Sequence, residues 1–385
     1  MSVAQKENLK GLPLPELEAK LVSLGHPPFR AKQLYRWIYK ERETDFEKMT
    51  DLSKDFRREL GEKFTLSKIE VSETHPAEDG TIKYLVKLSD GEQVESVFIP
   101  TEGRVTLCVS TQVGCKMACT FCATGYQKFV RDLKAWEIVD QLMSVPHPRP
   151  ITNIVLMGMG EPFDNYEEVM KALKLFNDPL GLKIGKRHIT VSTVGITDKI
   201  QPFIDASLGK LAISLHGTTD EQRSEIMPIN AKFPMNELME ACRNLKFRGT
   251  ERVTFEYILI KDFNDSDEDA YRLIKLMKGI PCKINLLAYN ENPFVDFKRP
   301  DEARVLKFQN ILLKHHLTTT YRRSRGRDVA AACGQLRIEA ENRLKRQAWE
   351  KLKGTLPQRS SILEPGLVPS GVLPKAETSH LSNAP

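Results

Sequence analysis

Three of the seven cysteines, Cys115, Cys119 and Cys122, lie close together in the stretch VGCKMACTFCATG. A structural zinc site normally takes four ligands, as two C-x2-C pairs or as a Cys pair with a His pair. No second pair of this kind occurs in the sequence. An iron–sulfur cluster also normally takes four thiolates, so two interpretations of the three cysteines remain open at this point: a zinc site, or an iron–sulfur cluster bound by three thiolates.

A [4Fe-4S] cluster with three cysteine ligands leaves one iron without a protein ligand. The amino and carboxylate groups of S-adenosylmethionine (SAM) can chelate this iron, and the reduced cluster can then cleave the sulfonium to a 5′-deoxyadenosyl radical. Among the other cysteines, Cys242 and Cys282 lie in apolar flanks and are interpreted as core thiols. Cys108 and Cys333 are isolated thiols, for which inert burial is the common role.

Two regions are predicted before the part of the chain that contains the cysteine motif. Residues 1–66 have helical periodicity and form a small basic module, whose helix over residues 29–39 places Leu34 and Ile38 on one face. Residues 67–103 change to a period of two and predict a β-hairpin extension. Its strands are expected over 81–88 and 94–100.

Residues 104–335 alternate strand-like and helix-like segments six times, with a seventh strand over 318–325. Repeated βα units predict a parallel sheet, either doubly wound or bent into a barrel, with ligands at the carboxyl ends of the strands. A basic helix is expected over 336–353. Residues 354–385 are rich in proline and serine and are predicted to be disordered.

The composition is that of an ordinary globular protein. The 57 Lys and Arg against 51 Asp and Glu leave a net charge of +6, which permits a polyanionic partner. No apolar run approaches the length of a membrane span, and the clustered, odd number of cysteines does not fit a secreted disulfide framework. We therefore expect a cytoplasmic protein without a membrane partner.

Several further motifs resemble one known family. Phe121, directly before the last motif cysteine, makes the loop similar to the signature of the radical SAM superfamily. The segments LMGMGEP, LAISLH, MPIN, CKINL and AACGQL, in this order within residues 107–336, resemble the RlmN family of rRNA and tRNA adenine C2-methyltransferases. FRAKQLYRWIY extends this similarity into residues 1–66. The resemblance implies an α/β fold, an incomplete (β/α)6 radical SAM barrel with a small helical amino-terminal domain and a β-hairpin extension.

The resemblance also implies the residues of the site. Cys115, Cys119 and Cys122 would bind one [4Fe-4S] cluster. The positions expected to contact SAM are Gly160, Glu161, Ser192, Ser214, Leu215, His216 and Asn290. Taken singly, each of these is more often a structural residue at a strand end. Their common position at the carboxyl ends of successive strands supports the assignment.

C2 of adenine is electron-poor, so it does not attack the methyl group of SAM as a nucleophile. In the family, two SAM molecules are used per turnover: Cys333 accepts a methyl from the first, and the radical from the second removes a hydrogen from this S-methyl group. Cys108 matches the thiol that releases the product and leaves a transient disulfide with Cys333. Glu95 matches the proton acceptor, although strand alternation alone predicts a solvent-facing side chain.

The expected partners are 23S rRNA and tRNA, with an electron donor such as flavodoxin and a thiol reductant; the protein is expected to be a monomer. The basic segments 29–42, 322–327 and 343–353 are candidates for phosphate contacts. Lys128 and Arg327 depart from the family pattern and leave the range of RNA substrates open. Two alternatives remain: a sister enzyme that methylates C8 of the adenosine, and a non-catalytic RNA-binding protein with a structural metal.

Overall fold

The amino-terminal region is a three-helix module closed by a short strand pair. The computed structural model describes residues 6–336, and the pair joins β1 (Glu7–Asn8) to β2 (Phe64–Thr65) in parallel. Between these strands lie α1 (Leu14–Ser23), α2 (Phe29–Tyr39), a 3-10 turn (Phe46–Lys48) and α3 (Lys54–Lys63). The prediction of a helical module is thus in agreement with these elements.

Helix α2 shows why this segment folds as the sequence predicts. Leu34 and Ile38, four residues apart, are buried on one face, whereas Lys32, Arg36 and Lys40 are exposed. Burial of the apolar face stabilises the helix, and the basic face remains available to solvent.

The extension has three antiparallel strands, β3 (Glu70–Pro76), β4 (Ile82–Lys87) and β5 (Gln93–Thr101). The predicted hairpin corresponds to β4 and β5, but the description of residues 67–103 as a hairpin was incomplete. The missed strand, β3, has the sequence EVSETHP, and its residues are exposed or half-buried. An edge strand with so few apolar residues gives no hydrophobic periodicity to detect.

The extension continues directly into the barrel. Strand β6 (Arg104–Cys108) pairs antiparallel with β5. After it, β7 (Gln112–Val113) and β8 (Arg131–Asp132) pair antiparallel and close the loop that contains the cysteine motif. Six more strands run parallel to β6: β9 (Asn153–Leu156), β10 (Ile189–Thr193), β11 (Lys210–Ser214), β12 (Val253–Leu259), β13 (Cys282–Ala288) and β14 (Thr319–Tyr321).

These strands form one ten-stranded sheet in the order β14-β13-β12-β11-β10-β9-β6-β5-β4-β3. The parallel strands alternate with helices that cover the sheet, which agrees with the predicted incomplete barrel. The helices are α4 (Ala135–Ser144), α5 (Tyr166–Asn177), α6 (Thr197–Ala206), α7 (Asp220–Ile226), α8 (Met235–Arg243), α9 (Asp267–Met277) and α10 (Glu302–Lys314). Short 3-10 turns lie at Ala123–Tyr126, Lys186–His188 and Pro228–Ala231.

Local sequence explains the boundaries of these elements. Every residue of β12, VTFEYIL, is buried, as expected for a parallel strand covered on both faces. Helix α9 begins with a capping box in which Ser266 Oγ accepts from Asp269 N at 3.0 Å and Asp269 Oδ2 accepts from Ser266 N at 3.1 Å. Asp301 caps α10 through a single hydrogen bond, in which its Oδ1 accepts from Arg304 N at 2.7 Å.

The amino-terminal module and the barrel share one hydrophobic core. A buried polar contact also joins them: Asp140 of α4 forms an ion pair with Lys10 and accepts a hydrogen bond from Ile69 N at 2.7 Å. No helix within residues 6–336 is long and apolar enough to cross a membrane. The helix expected over 336–353, beyond its first residue, and the segment 354–385 lie outside the described residues.

Candidate active site

The cysteine loop lies between β7 and β8 and depends on two glycines. Gly114 has a φ of +76°, and a Cβ at this position would lie 2.3 Å from Lys128 O. A Cβ on Gly125 would lie 2.4 Å from Cys119 O. Both distances are too short for a side chain, so only glycine permits this close backbone approach.

Backbone hydrogen bonds fix the loop to the rest of the barrel. Cys122 N donates to Cys119 O at 3.1 Å, and Thr120 N donates to Ile226 O at 3.0 Å. Ala123 N donates to Gly334 O at 2.7 Å and so joins the cysteine loop to the loop that contains Cys333. Two cysteine-containing segments far apart in sequence are therefore adjacent in space.

The carboxyl ends of the parallel strands and the cysteine loop surround one cavity. Nine of the residues expected from the sequence line it: Cys115, Cys119, Cys122, Gly160, Glu161, Ser192, Ser214, His216 and Cys333. Leu215, Asn290, Glu95 and Cys108 do not line this cavity. The ligand position predicted from the βα pattern thus coincides with the cavity that collects most of the expected residues.

The three motif thiols interact within this cavity. Burial raises the pKa of each thiol, to about 12 for Cys115. The charges of Cys122 and Cys115 raise the pKa of Cys119 further. A bound positively charged metal centre would lower the pKa of these thiols again, because it stabilises the thiolate form. Over residues 6–336, no group of three or more His, Cys, Asp or Glu side chains is arranged to hold a metal ion. The three motif thiols nevertheless line one cavity, and a set of three soft thiolates has the chemistry of an iron–sulfur ligand set.

The GMGEP turn follows β9 and approaches the cysteine loop closely. Gly160 has a φ of +95°, and a Cβ there would lie 2.5 Å from Gln112 Cβ. Glu161 N donates to Gln112 Oε1 at 2.8 Å. The Glu161 carboxylate accepts from Phe163 N and Val194 N, both at 2.9 Å, so it joins this turn to the end of β10. Burial raises the pKa of Glu161 to about 7.

His216 follows β11 in a left-handed conformation, with a φ of +56°. Its Nδ1 accepts from Ile258 N at 3.2 Å, and its carbonyl accepts from Asn264 Nδ2 at 2.7 Å. Burial and the nearby Arg223 lower the pKa of His216 to about 3. The imidazole is therefore neutral at physiological pH, and its Nε2 carries the proton.

Two expected SAM contacts occupy other positions. Leu215 is fully buried, and its N donates to Glu256 O at 3.1 Å. Asn290 lies behind the Cys333 loop, where its Nδ2 donates to Cys333 O at 3.2 Å and its Oδ1 accepts from Arg299 Nη1 at 3.3 Å. In this structure Asn290 supports the Cys333 loop.

A second cavity adjoins the first. Cys108 and Cys333 both line it, and Cys333 and Arg322 line both cavities. Burial and the charge of Cys333 raise the pKa of the Cys108 thiol to about 12, and Arg322 opposes this shift. All seven cysteines are free thiols, so the expected Cys108–Cys333 disulfide is not present in the structure.

Glu95 lies on β5 and is 2% exposed, so the solvent-facing position predicted from strand alternation is wrong. Its Oε1 lies 3.5 Å from Nζ of Lys83 on β4, which is also buried. The alternation rule fails here because both faces of β5 are covered. Lys83 was not identified from the sequence.

The site contains two more residues whose positions the sequence does not predict, Glu256 and Arg322. Glu256 lines the first cavity, accepts from Asn285 Nδ2 at 2.7 Å and has its pKa raised by burial. Its signal was a single carboxylate within the apolar strand VTFEYIL. Arg322, which was grouped with the RNA-facing arginines, instead faces both cavities, and its Nη1 contacts Met157 Sδ at 3.7 Å.

Comparisons with known proteins identify the families that the chain matches. Residues 109–274 match the Radical SAM superfamily, and residues 7–66 match the ribosomal RNA large subunit methyltransferase N-terminal domain. A crystal structure of a radical SAM methyltransferase from Sphaerobacter thermophilus is 41% identical, with a TM-score of 0.79, and covers 86% of this chain and 100% of its own.

Curated relatives match over nearly their whole length. The probable dual-specificity RNA methyltransferase RlmN of Caldanaerobacter subterraneus subsp. tengcongensis is 50% identical over 86% of this chain and 97% of its own. The dual-specificity RNA methyltransferase RlmN of Syntrophotalea carbinolica is 46% identical over 86% of this chain and 89% of its own. With this identity and coverage, the chain belongs to the RlmN family of radical SAM RNA methyltransferases.

Proposed function

We propose that this enzyme methylates C2 of one adenosine in the peptidyl-transferase region of 23S rRNA, and of the adenosine 3′ to the anticodon in tRNA. The observation that carries the proposal is the position of Cys333. Its side chain lines both the cavity that contains the three motif thiols and the cavity that contains Cys108. One sulfur can therefore meet a SAM-derived group on one side and a resolving thiol on the other.

In this proposal, Cys115, Cys119 and Cys122 hold a [4Fe-4S] cluster, which when bound supplies the electron that cleaves SAM. Gly160, Ser192, Ser214 and His216 surround SAM within the same cavity. Glu161 shapes the turn beside it through its two backbone contacts. Leu215 and Asn290 are expected from the sequence to contact SAM; because neither lines this cavity, we instead assign Leu215 to the core and Asn290 to support of the Cys333 loop.

The Cys333 thiolate first attacks the methyl carbon of one SAM, which breaks the bond from that methyl to the sulfonium sulfur; S-adenosylhomocysteine leaves and Cys333 becomes S-methylcysteine. The S-methyl group then gives one hydrogen atom to the 5′-deoxyadenosyl radical from a second SAM, which leaves as 5′-deoxyadenosine. The resulting carbon radical on Cys333 adds to C2 of the adenine. Glu95 takes the C2 proton, and one electron passes back to the oxidised cluster that Cys115, Cys119 and Cys122 would hold, which replaces the electron used to cleave SAM. Cys108 then attacks the sulfur of Cys333 and breaks its bond to the new carbon, which takes up a proton. A thiol reductant then reduces the resulting Cys108–Cys333 disulfide and restores the two free thiols.

Residues 1–66 are proposed as an accessory RNA-binding module, residues 67–103 as a structural extension and residues 104–335 as the catalytic barrel. The exposed basic face of α2, with Lys32 and Lys40, supplies charge for phosphate contacts. We further propose that the enzyme acts as a monomer in the cytoplasm with an electron donor such as flavodoxin.

The test uses protein that was purified without air and reduced, with SAM and either rRNA or tRNA fragments. Mass spectrometry of the digested RNA is expected to detect 2-methyladenosine, and a Cys108→Ala variant is expected to accumulate RNA bound covalently to Cys333. The fully buried Cys242 lies in α8, and its variant Cys242→Ala is the matched control that releases free product. A methyl group on C8, release of only free RNA by Cys108→Ala, or stoichiometric zinc without iron would each contradict the proposal.

A further inference from the structure

Two exposed aromatic rings lie stacked on each other beside the site. Tyr126 is 43% exposed and Phe294 is 42% exposed, and their ring centroids are 4.8 Å apart with an interplanar angle of 18°. Tyr126 ends the 3-10 turn of the cysteine loop, and Phe294 lies in the loop after β13. Large aromatic side chains in adjacent exposed positions commonly mark a contact surface.

Hydrogen bonds hold the two loops in this arrangement. Asn292 Nδ2 donates to Phe121 O at 3.2 Å and to Tyr289 Oη at 2.8 Å, and Asn292 Oδ1 accepts from Phe294 N at 3.0 Å. Tyr126 Oη donates to Thr120 O at 2.9 Å. These bonds order both loops while the rings remain open to solvent. A ligand that contacts the rings would therefore lose little affinity to the ordering of side chains and loops.

The pair lies at the rim of the first cavity. Thr124 and Gly125, directly before Tyr126, line that cavity, as does Phe121, whose carbonyl binds Asn292. Lys128, two residues after Tyr126, is exposed and forms no ion pair with residues 6–336. The rim therefore combines a flat aromatic surface with a free positive charge.

This combination matches the chemistry of an unpaired nucleotide. An adenine whose C2 is modified must leave its stack, which also deprives its neighbours of a stacking partner. Aromatic rings stack on unpaired bases regardless of sequence, and a nearby lysine pairs with the phosphate. A protein partner would be expected to require a larger apolar patch than these two rings.

We propose that Tyr126 and Phe294 form a platform on which one unpaired base next to the target adenosine stacks, with Lys128 at the adjoining phosphate. This inference rests on the proposed function and adds to it a surface that holds the RNA after the target base has left its stack. The platform acts on RNA affinity and positioning, and takes no part in the chemistry at Cys333.

The experiment measures binding of full-length holoenzyme to a synthetic RNA hairpin with the target adenosine in its loop. Two RNAs carry 2-aminopurine, one on the 5′ side and one on the 3′ side of the target. Wild-type protein is expected to quench one of the two fluorophores by stacking. Tyr126→Ala and Phe294→Ala are expected to remove this quenching and to weaken binding about 5- to 140-fold, whereas Tyr126→Phe keeps both.

The control is Tyr271→Ala, since Tyr271 is 54% exposed on α9, outside both loops. Lys128→Ala removes roughly one phosphate contact, so the logarithm of its binding constant is expected to depend less steeply on the logarithm of the salt concentration. The quenching should stay intact. Thermal unfolding of each variant checks its fold.

Unchanged affinity and quenching in Tyr126→Ala and Phe294→Ala, with RNA methylation by the wild type retained, would overturn the platform alone. Absence of RNA methylation by the wild type would overturn the proposed function and the platform with it.

Discussion

Lys83 Nζ and Glu95 Oε1 lie 3.5 Å apart, and the two side chains are 1% and 2% exposed. Lys83 is opposite Val97 in the β4–β5 pair, and Val97 is opposite Cys108 in the β5–β6 pair. Opposed and alternate residues share one face of a sheet, so Lys83, Glu95 and Cys108 project to the same side. The extension thus contributes a buried charged pair beside a proposed reactive thiol.

The first prediction concerns this pair. Glu95→Gln leaves the Lys83 ammonium without its buried carboxylate and is expected to lower the free energy of unfolding by about 3 kcal/mol. In the double variant Lys83→Met/Glu95→Gln no charge remains, so much of this loss should be recovered. Urea unfolding of the four proteins in a double-mutant cycle measures the coupling. Strictly additive effects would show that the two side chains do not interact.

The second prediction concerns Gly160. Gly160→Ala combines a positive φ with a Cβ 2.5 Å from Gln112 Cβ, and we expect a loss of about 3 kcal/mol in stability together with loss of SAM binding. Gly249 also has a positive φ, +63°, but a Cβ at this position would have no other atom within 4 Å apart from its chain neighbours. Gly249→Ala should therefore cost only about 1 kcal/mol. Calorimetric SAM titration and urea unfolding separate the two effects, and equal costs at both sites would refute the steric argument.

The third prediction tests the cluster ligands. Cys119→Ala removes one of three thiolates, so reconstituted protein should lose most of its iron and its visible absorbance. Cys242→Ala removes a fully buried cysteine from the core, and this variant should keep its iron and its visible absorbance. Iron analysis after anaerobic reconstitution makes the comparison. Full iron content in the Cys119→Ala protein would remove Cys119 from the ligand set.

The fourth prediction follows from His216, whose pKa is lowered by burial and Arg223 to about 3. The histidine of the unfolded chain titrates near pH 6.5, whereas His216 in the folded protein stays neutral well below this pH. The neutral His216 therefore adds to the free energy of unfolding above pH 6.5, and this contribution is lost as the pH falls toward 3. The apoprotein should lose about 2 kcal/mol from this group between neutral pH and pH 5. In His216→Asn, an amide replaces the imidazole and tolerates the left-handed backbone, and this decrease should be absent. Urea unfolding at both pH values compares the proteins; an equal decrease in both would exclude His216 as its source.

Apolar periodicity was sufficient to predict most of the fold. The helix over residues 29–39 and the parallel strands of the barrel were predicted because their apolar residues recur at the spacing of each element. Strand β3 was missed because Glu70–Pro76 is a polar edge strand. Glu95 was assigned to solvent because alternation shows which residues share a face but does not show whether that face is covered.

The sequence by itself determined the three motif thiols, since their recognition depends on short-range spacing. Only the tertiary structure decided that Cys333 lines the same cavity as these thiols, that Arg322 faces two cavities and that Lys83 lies against Glu95. The physical reason is that strand pairing and loop packing bring together residues far apart in the chain. Local periodicity contains no information about those distances.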